Sequence, residues 1–237
     1  MQQPLRKRLV AETVGTAILL TAIVGSGIMG ERLAAGNVAI ALLANSIATG
    51  GALVALIIAF GPISAHFNPA LTITDALGRG ISWREVPAYL LVQVAGAFAG
   101  VAIAHLMFGL PLFVASRHAR NGVPQFFSEF VATFGLVAVI AGCARSRSRV
   151  AIAVAAYIVA AYWFTASTSF ANPAVTLARS ATDTFTGIRP SDIPSFLSAQ
   201  IAGTGAAAIL FRWLNRTDGE IKSEDERTET RAVSLHR

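Results

Sequence analysis

Six long apolar runs, separated by short polar or charged connections, dominate the pattern of hydrophobic and polar positions along this 237-residue chain. A helix needs about 20 residues to cross a hydrocarbon layer about 30 Å thick, and each run is near that length. The pattern therefore predicts transmembrane helices. The predicted spans are residues 9–29, 38–60, 84–108, 126–143, 150–168 and 194–214. Two further apolar segments, 65–80 and 169–182, are too short to span.

Each short segment contains the tripeptide Asn-Pro-Ala, which begins at Asn68 and again at Asn172. An Asn before a Pro can cap a helix that begins at that Pro, so two helices are predicted to begin at membrane depth. A half-helix of about 10 to 12 residues covers roughly 15–18 Å, half of the hydrocarbon thickness. The backbone leading into each half-helix, around 64–66 and 167–169, cannot be helical and must line water or be buried in protein.

The sequence contains an internal repeat. Ala-Glu-Thr-Val-Gly-Thr from Ala11 opens the first span, Ser-Glu-Phe-Val-Ala-Thr from Ser128 opens the fourth, and each leads to an Asn-Pro-Ala. Because three spans is an odd number, the second repeat must enter the membrane from the opposite face, and the two half-helices should meet near the midplane. The expected units are a channel domain over 1–214, with repeats over about 9–108 and 126–214, and a charged cytoplasmic tail over 215–237.

Composition supports a membrane protein. Hydrophobic residues make up 54% of the chain and mean hydropathy is +0.59. Charged residues make up only 14%, against roughly 25% in soluble domains. The single Cys143 excludes a disulfide framework and a thiolate metal cluster within the chain. The spans contain no nucleophile with a base and no paired acids, so we expect no enzyme activity, catalytic residue, metal or cofactor.

The distribution of Lys and Arg predicts the orientation. Of the 19 such residues, 14 fall on the side that both termini share. Because cytoplasmic connections carry the excess of positive charge, both termini should be cytoplasmic in a multi-pass protein of the plasma membrane, here a bacterial inner membrane. Nucleic-acid binding is not expected, because the basic tail also carries acids and has no interleaved aromatic residues.

Two half-helices that meet at the midplane would determine which solutes pass. Their N-termini direct partial positive charge at the centre, and the side-chain amides of Asn68 and Asn172 add hydrogen-bond donors there. Cations should be repelled, and neutral hydroxylated solutes should be accepted. Waters that turn their oxygens toward the two asparagines should also interrupt a proton-conducting file.

Two Asn-Pro-Ala boxes 104 residues apart, with a Glu opening each half, resemble the aquaporin and aquaglyceroporin (major intrinsic protein) family over about 9–214. The resemblance implies an α-helical channel with one pore in each subunit of a homotetramer. It also implies roles for matching residues: Asn68 and Asn172 at the central constriction, His66 beside the first half-helix, and Glu12 and Glu129 supporting the re-entrant loops.

Alternatives remain for the ionisable members of this set. Glu12 and Glu129 each lie near a helix end, so an interfacial carboxylate is possible, as is proton coupling. For His66 the alternatives are a fixed structural hydrogen bond with one edge facing the pore, and a pH gate.

The selectivity filter departs from the family pattern. In most of the family an Arg directly follows the second Asn-Pro-Ala, whereas this chain has Val175. Family spacing places Ser169 and Ala160 in the filter, together with either Thr49 or Ala48, of which Thr49 is favoured. Since every candidate is small, the filter is expected to be wide, uncharged and weakly polar.

A wide filter predicts a passive channel for water and larger neutral solutes such as glycerol, urea or arsenous acid. Thr176 stands where the glycerol branch usually has Asp, and the combination resembles bacterial aquaglyceroporin-like channels associated with arsenic resistance. The alternative is a channel that leaks cations or protons, because the arginine that usually follows the second Asn-Pro-Ala and repels cations is missing. A secondary transporter is less consistent with the few acids near the midplane.

Arg179 is a further candidate for the outer vestibule. It lies four residues after Val175, which offsets it by about 40° around the half-helix and ~6 Å outward. Arg179 is either a cation that interacts with the dipole at a helix C-terminus, or a positive charge that acts at the outer mouth in place of the usual filter arginine.

Overall fold

The computed structural model describes residues 3–143 and 146–214, except for the side chain of Arg147. The predicted tail, 215–237, lies outside these residues. Within them the fold is all-α, as predicted, and contains no strand. The helices are α1 (Leu5–Leu33), α2 (Val38–Phe60), α3 (Pro69–Leu77), α4 (Val86–Phe108), α5 (Val123–Cys143), α6 (Arg147–Phe164), α7 (Pro173–Arg179) and α8 (Ile193–Leu214). A 3-10 turn, Pro190–Asp192, precedes α8.

The long helices match the predicted spans, with one shortened. Five are long and apolar enough to cross a membrane, and α8 counts among them together with its preceding turn. The apolar part of α6, Ser148–Phe164, is shorter. The predicted fifth span, 150–168, extends too far because the backbone becomes extended at Thr165, with φ −110° and ψ 137°. In contrast, α1 is longer than the predicted 9–29.

The two half-helices begin where the sequence predicts, at the prolines after Asn68 and Asn172. In each, the Asn side-chain oxygen accepts a hydrogen bond from the backbone two residues on, at 2.9 Å for Asn68 and 3.0 Å for Asn172. They are shorter than the predicted 10 to 12 residues, with nine residues in α3 and seven in α7. At 1.5 Å per residue they extend about 13 and 10 Å.

The half-helices lead to opposite ends of α4. Ala76 near the end of α3 packs in a cluster with Val86, the first residue of α4. Thr182, which follows α7, is hydrogen-bonded at 2.7 Å to His105 near the last turn of α4. Since α4 has 23 residues, its two ends are about 35 Å apart. The half-helices therefore extend from a shared centre in opposite directions.

Close helix crossings hold each repeat together, because α1 packs along α4 and α5 packs along α8. A Cβ added at Gly96 of α4 would lie 2.5 Å from the carbonyl oxygen of Thr13, and one added at Gly203 of α8 would lie 2.5 Å from that of Phe130. Small residues at such crossings let helix backbones approach within a membrane, where packing rather than water exclusion drives association.

We predict that Gly203→Ala lowers the free energy of unfolding by about 1–3 kcal/mol, because the added methyl group meets backbone rather than a flexible side chain. Thermal unfolding followed by circular dichroism in detergent measures this. Gly205→Ala on the same helix is the matched control, since a Cβ there meets nothing within 4 Å. Equal melting temperatures for the two variants would contradict the close crossing.

Candidate functional site

Asn68 and Asn172 face each other where the two half-helices begin. The side-chain nitrogen of Asn68 donates to the carbonyl oxygen of Ala171 at 2.8 Å, and that of Asn172 donates to the carbonyl oxygen of Phe67 at 2.8 Å. Each asparagine thus caps its own half-helix with its oxygen and holds the opposite loop with its nitrogen. Because an amide nitrogen carries two hydrogens, each retains one donor for a solute.

The residues before the two asparagines have an unusual backbone conformation. Phe67 has φ 49° and Ala171 has φ 46°, in the left-handed region that non-glycine residues rarely adopt. Buried carboxylates hold both loops in place. Glu12 accepts from the backbone nitrogens of His66 and Phe67 at 2.8 and 2.7 Å. The loop conformation is therefore fixed by charge-assisted hydrogen bonds.

Glu129 repeats this arrangement in the second half of the chain. It accepts from the backbone nitrogens of Phe170 and Ala171 at 2.8 and 2.9 Å. Both Glu12 and Glu129 have 0% exposure, so neither is the interfacial carboxylate that the sequence left open.

Two glutamines complete the symmetry, and the sequence analysis missed both. Gln93 donates to Glu12 at 2.8 Å and to Thr72 at 2.9 Å. Gln200 donates to Glu129 at 2.6 Å and to Thr176 at 2.9 Å. Each thereby joins a long helix, a carboxylate and a half-helix. The signal was present, because both glutamines lie in apolar spans and both precede an apolar residue and Ala-Gly.

A cavity of about 310 Å³ passes the paired asparagines. A second cavity, of about 470 Å³, shares several lining residues with the first and continues it toward the loop before α3. The predicted site residues that line the first cavity are His66, Asn68, Asn172, Thr49, Ser169, Val175 and Arg179. The residues shared by both cavities are Ile57, Ala65, His66, Asp75 and Val150.

The structure places the predicted filter positions on α6 and α2 differently. Ala160 is exposed on the outside of α6, and Ile158 and Tyr162 of the same helix line the cavity instead. A shift of two residues turns a side chain by about 200°, to the opposite face of a helix. On α2, Thr49 lines the cavity and Ala48 is exposed.

Tyr162 adds a large side chain with a hydroxyl group to the lining of the first cavity. Its hydroxyl lies 3.3 Å from the hydroxyl of Thr49, and only 3% of the residue is exposed. The lining of the cavity on α6 therefore includes a larger side chain than the small residues expected for the filter.

Arg179 lies deeper than the predicted vestibule position. It is 2% exposed and lines the cavity, although it is the last residue of α7. Its Nε donates to the carbonyl oxygen of Thr186, and its guanidinium carbon lies 3.4 Å from the centre of the Phe170 ring. Its Nη1 is buried without a protein partner in the described part of the chain, as is the hydroxyl of Ser169. A cation here interacts both with an aromatic face and with the helix dipole.

A second arginine lies beside the first. The guanidinium carbon of Arg120 is 5.0 Å from the centre of the Phe170 ring. Its Nη1 donates to the carbonyl oxygen of Ser167 at 3.1 Å, and its Nε donates to that of Gly187 at 2.8 Å. Burial lowers the pKa of Arg120, and the charge of Glu129 opposes this. The sequence analysis did not single out Arg120, because the connection that contains it shows no motif.

At the other end of the cavities, His66 and Asp75 lie side by side. The His66 Nδ1 is 3.1 Å from the hydroxyl of Thr72, and its Nε2 is 3.5 Å from an Asp75 carboxylate oxygen. The sequence analysis missed Asp75, although it is the one acid in 65–80. No group of three metal-binding side chains occurs among the residues that the structure describes.

Comparisons with known proteins agree with this geometry. Residues 1–149 match the family model described as major intrinsic protein. The chain is 54% identical over 212 residues to aquaglyceroporin AqpS of Rhizobium meliloti, covering 89% of this chain and 91% of that protein. It is 35% identical over 144 residues to aquaporin NIP1-1 of rice, Oryza sativa, covering 60% of this chain and 50% of that protein.

The fold also resembles a solved structure. The X-ray structure of the aquaglyceroporin from Plasmodium falciparum superposes with a TM-score of 0.69 at 20% identity, covering 88% of this chain and 94% of that chain. The protein is thus a multi-pass membrane channel for small neutral solutes, and not an enzyme. Its paired asparagines, inverted repeats and matches in sequence and fold show that the chain belongs to the major intrinsic protein family.

Proposed function

We propose that this protein is a passive channel that conducts water together with larger neutral hydroxylated or amide solutes, such as glycerol, urea and arsenous acid. The observation that carries the proposal is the cavity through the paired asparagines, lined by Val175 where most of the family has arginine. The proposed assembly is a homotetramer of 1–214 channel domains in a bacterial inner membrane. Both termini, with the 215–237 tail, would be cytoplasmic.

The chemistry of the lining supports solutes that have both carbon and oxygen surfaces. Val175 and Phe170 present apolar surface to the cavity, whereas Thr49 and Tyr162 present hydroxyls. A solute such as glycerol can place its carbons against the first pair and its hydroxyls against the second. Since Tyr162 occupies space that an alanine would leave open, we propose a filter of intermediate width.

Arg179 is proposed as the filter charge that is missing at Val175. Its buried Nη1 and the hydroxyl of Ser169 lack protein partners, so both can donate to a passing solute. A buried guanidinium also repels cations, in addition to the half-helix N-termini. This placement is the reason to prefer a neutral-solute channel over the cation or proton leak.

We further propose that Glu12 and Glu129 support the re-entrant loops and do not couple proton movement. Each accepts at least three hydrogen bonds, which include two from strained loop backbone. At membrane depth those backbone donors have no water as a substitute, so the carboxylates satisfy groups that would otherwise be costly.

The transport proposal is tested by stopped-flow swelling of reconstituted vesicles in gradients of glycerol, urea or arsenous acid. We expect the wild type to pass these solutes faster than protein-free vesicles. We expect Val175→Arg to slow them more than it slows water, because a guanidinium narrows the cavity. Val175→Thr, of similar volume, is the matched control. Undiminished glycerol flux in Val175→Arg would show that Val175 does not define the constriction.

Glu129→Gln should lower both stability and flux. A glutamine places an NH₂ donor where the native oxygen accepts from backbone nitrogens, which leaves at least one buried donor unpaired at about 1–3 kcal/mol. Thermal unfolding in detergent and glycerol swelling measure the two effects. Glu31→Gln is the matched control, since Glu31 is exposed on α1. A Glu129→Gln variant as stable as the control would contradict the supporting role.

Arg179→Ala should open the channel to monovalent cations. At a separation of 4–8 Å and an effective dielectric constant near 20, the repulsion between the guanidinium and a potassium ion is about 2–4 kcal/mol. Removing it should therefore raise the potassium current roughly tenfold or more. Voltage-clamped bilayers measure the current. Arg117→Ala is the control, because the Arg117 side chain is 90% exposed. If Arg179→Ala excludes potassium as well as the control does, Arg179 is not the proposed filter charge.

A further inference from the structure

The positive charges along the proposed pore account for the exclusion of cations but not of anions. Both half-helix N-termini direct partial positive charge at Asn68 and Asn172, and Arg179 adds a full charge on the same cavity. A cavity lined only by these groups would concentrate anions, because a lining of one sign attracts the opposite ion. A negative group on the same path would oppose that attraction.

Asp75 is that negative group. It lines both cavities, and its side chain is 39% exposed. Among the described residues that line the first cavity, the charged side chains are Asp75 and Arg179, and His66 is also titratable. The two charges lie on half-helices that extend in opposite directions, so they act on opposite halves of the path.

The dipole of α3 does not explain the position of Asp75. It lies in the last turn of α3, where the helix dipole disfavours a carboxylate. Arg179 occupies the corresponding turn of α7, where the dipole favours a cation. An acid at the unfavourable end of a short helix, lining a cavity, therefore points to a role in transport.

His66 lies beside Asp75. Its Nε2 is 3.5 Å from an Asp75 carboxylate oxygen, and its Nδ1 is 3.1 Å from the Thr72 hydroxyl, which also accepts a hydrogen bond from Gln93. An imidazole that carries its one proton on Nε2 directs a hydrogen-bond donor at a carboxylate without cancelling the carboxylate charge.

The other charged groups at this end of the path neutralise each other. Arg8 donates to both carboxylate oxygens of Glu85, at 2.6 and 3.1 Å, and also to the Tyr89 hydroxyl. The hydrogen bond from Arg8 lowers the pKa of Glu85, which keeps that carboxylate ionised. Asp75 is therefore the uncompensated charge of the second cavity among the residues described.

We infer that Asp75 is the residue that excludes anions from this channel. Its carboxylate repels an anion on the half of the path opposite Arg179, while Arg179 repels cations on its own half. Two barriers of opposite sign in series admit only solutes without net charge. The inference rests on the pore path proposed above.

The test compares Asp75→Asn, which removes the charge at nearly constant shape, with Asp75→Glu, which keeps it. Each is reconstituted in planar bilayers with sodium salts of formate or nitrate as the anion probes. We expect Asp75→Asn to carry at least tenfold more anion current than the wild type, with a reversal potential that moves toward that of the anion. Asp75→Glu should stay closed to both anions.

A second variant shows whether the current depends on the positive charge of the pore. Adding Arg179→Gln to Asp75→Asn should reduce the anion current again, because the attraction is then removed. Anion exclusion in Asp75→Asn equal to that of the wild type would overturn the inference. If Asp75→Asn does not fold, Asp75→Ser replaces it, and anion exclusion equal to that of the wild type in Asp75→Ser would overturn the inference.

Glycerol swelling of vesicles made from the same preparations separates the two proposals. Swelling faster than that of protein-free vesicles shows that the pores are assembled and open. If such Asp75→Asn pores carry no anion current, the role of Asp75 in excluding anions is refuted, while the transport proposal stands. If the wild type itself conducts no glycerol, the transport proposal fails. Wild-type anion current equal to that of Asp75→Asn would also refute an anion barrier at Asp75.

Discussion

The rest of the structure depends on the hydrogen bonds between two buried carboxylates and two loops at membrane depth. The loops turn through positive φ at Phe67 and Ala171, and their backbone donors cannot reach water. Glu12 and Glu129 satisfy those donors. A carboxylate suits this role because it offers several acceptor sites and forms stronger bonds than a neutral group. Without it, non-helical backbone in this position would be costly.

The fixed loops in turn determine where the polar groups of the pore lie. Each asparagine bonds the loop of the opposite repeat, so neither half-helix can move without disturbing the other. Gln93 and Gln200 extend this coupling to α4 and α8 through the same carboxylates. The centre is therefore rigid and symmetric, whereas the residues that differ between the repeats, such as Asp75 and Arg179, distinguish its two ends.

The sequence predicted features that are encoded locally and missed those that depend on helix phase. Asn-Pro-Ala specifies a capped helix start within three residues, and both starts were correct. The position of Ala160 was counted back from Asn172 across a non-helical stretch, where no fixed angle relates the residues, and Ala160 lies on the exposed side of α6. Tyr162 was missed for the same reason. Asp75 carried a usable signal as an acid in an apolar segment, but no repeat partner drew attention to it.

In the filter that we propose, the positive charge lies on Arg179 and not on the residue directly after the second Asn-Pro-Ala. A residue four positions later on a helix returns to nearly the same face, so Arg179 reaches the cavity that Val175 lines. The Arg179 guanidinium lies against the Phe170 ring, and its Nε donates to the carbonyl oxygen of Thr186. In the proposed channel, Arg179 would therefore keep a barrier to cations, while Val175, which is smaller than arginine, would let larger neutral solutes pass.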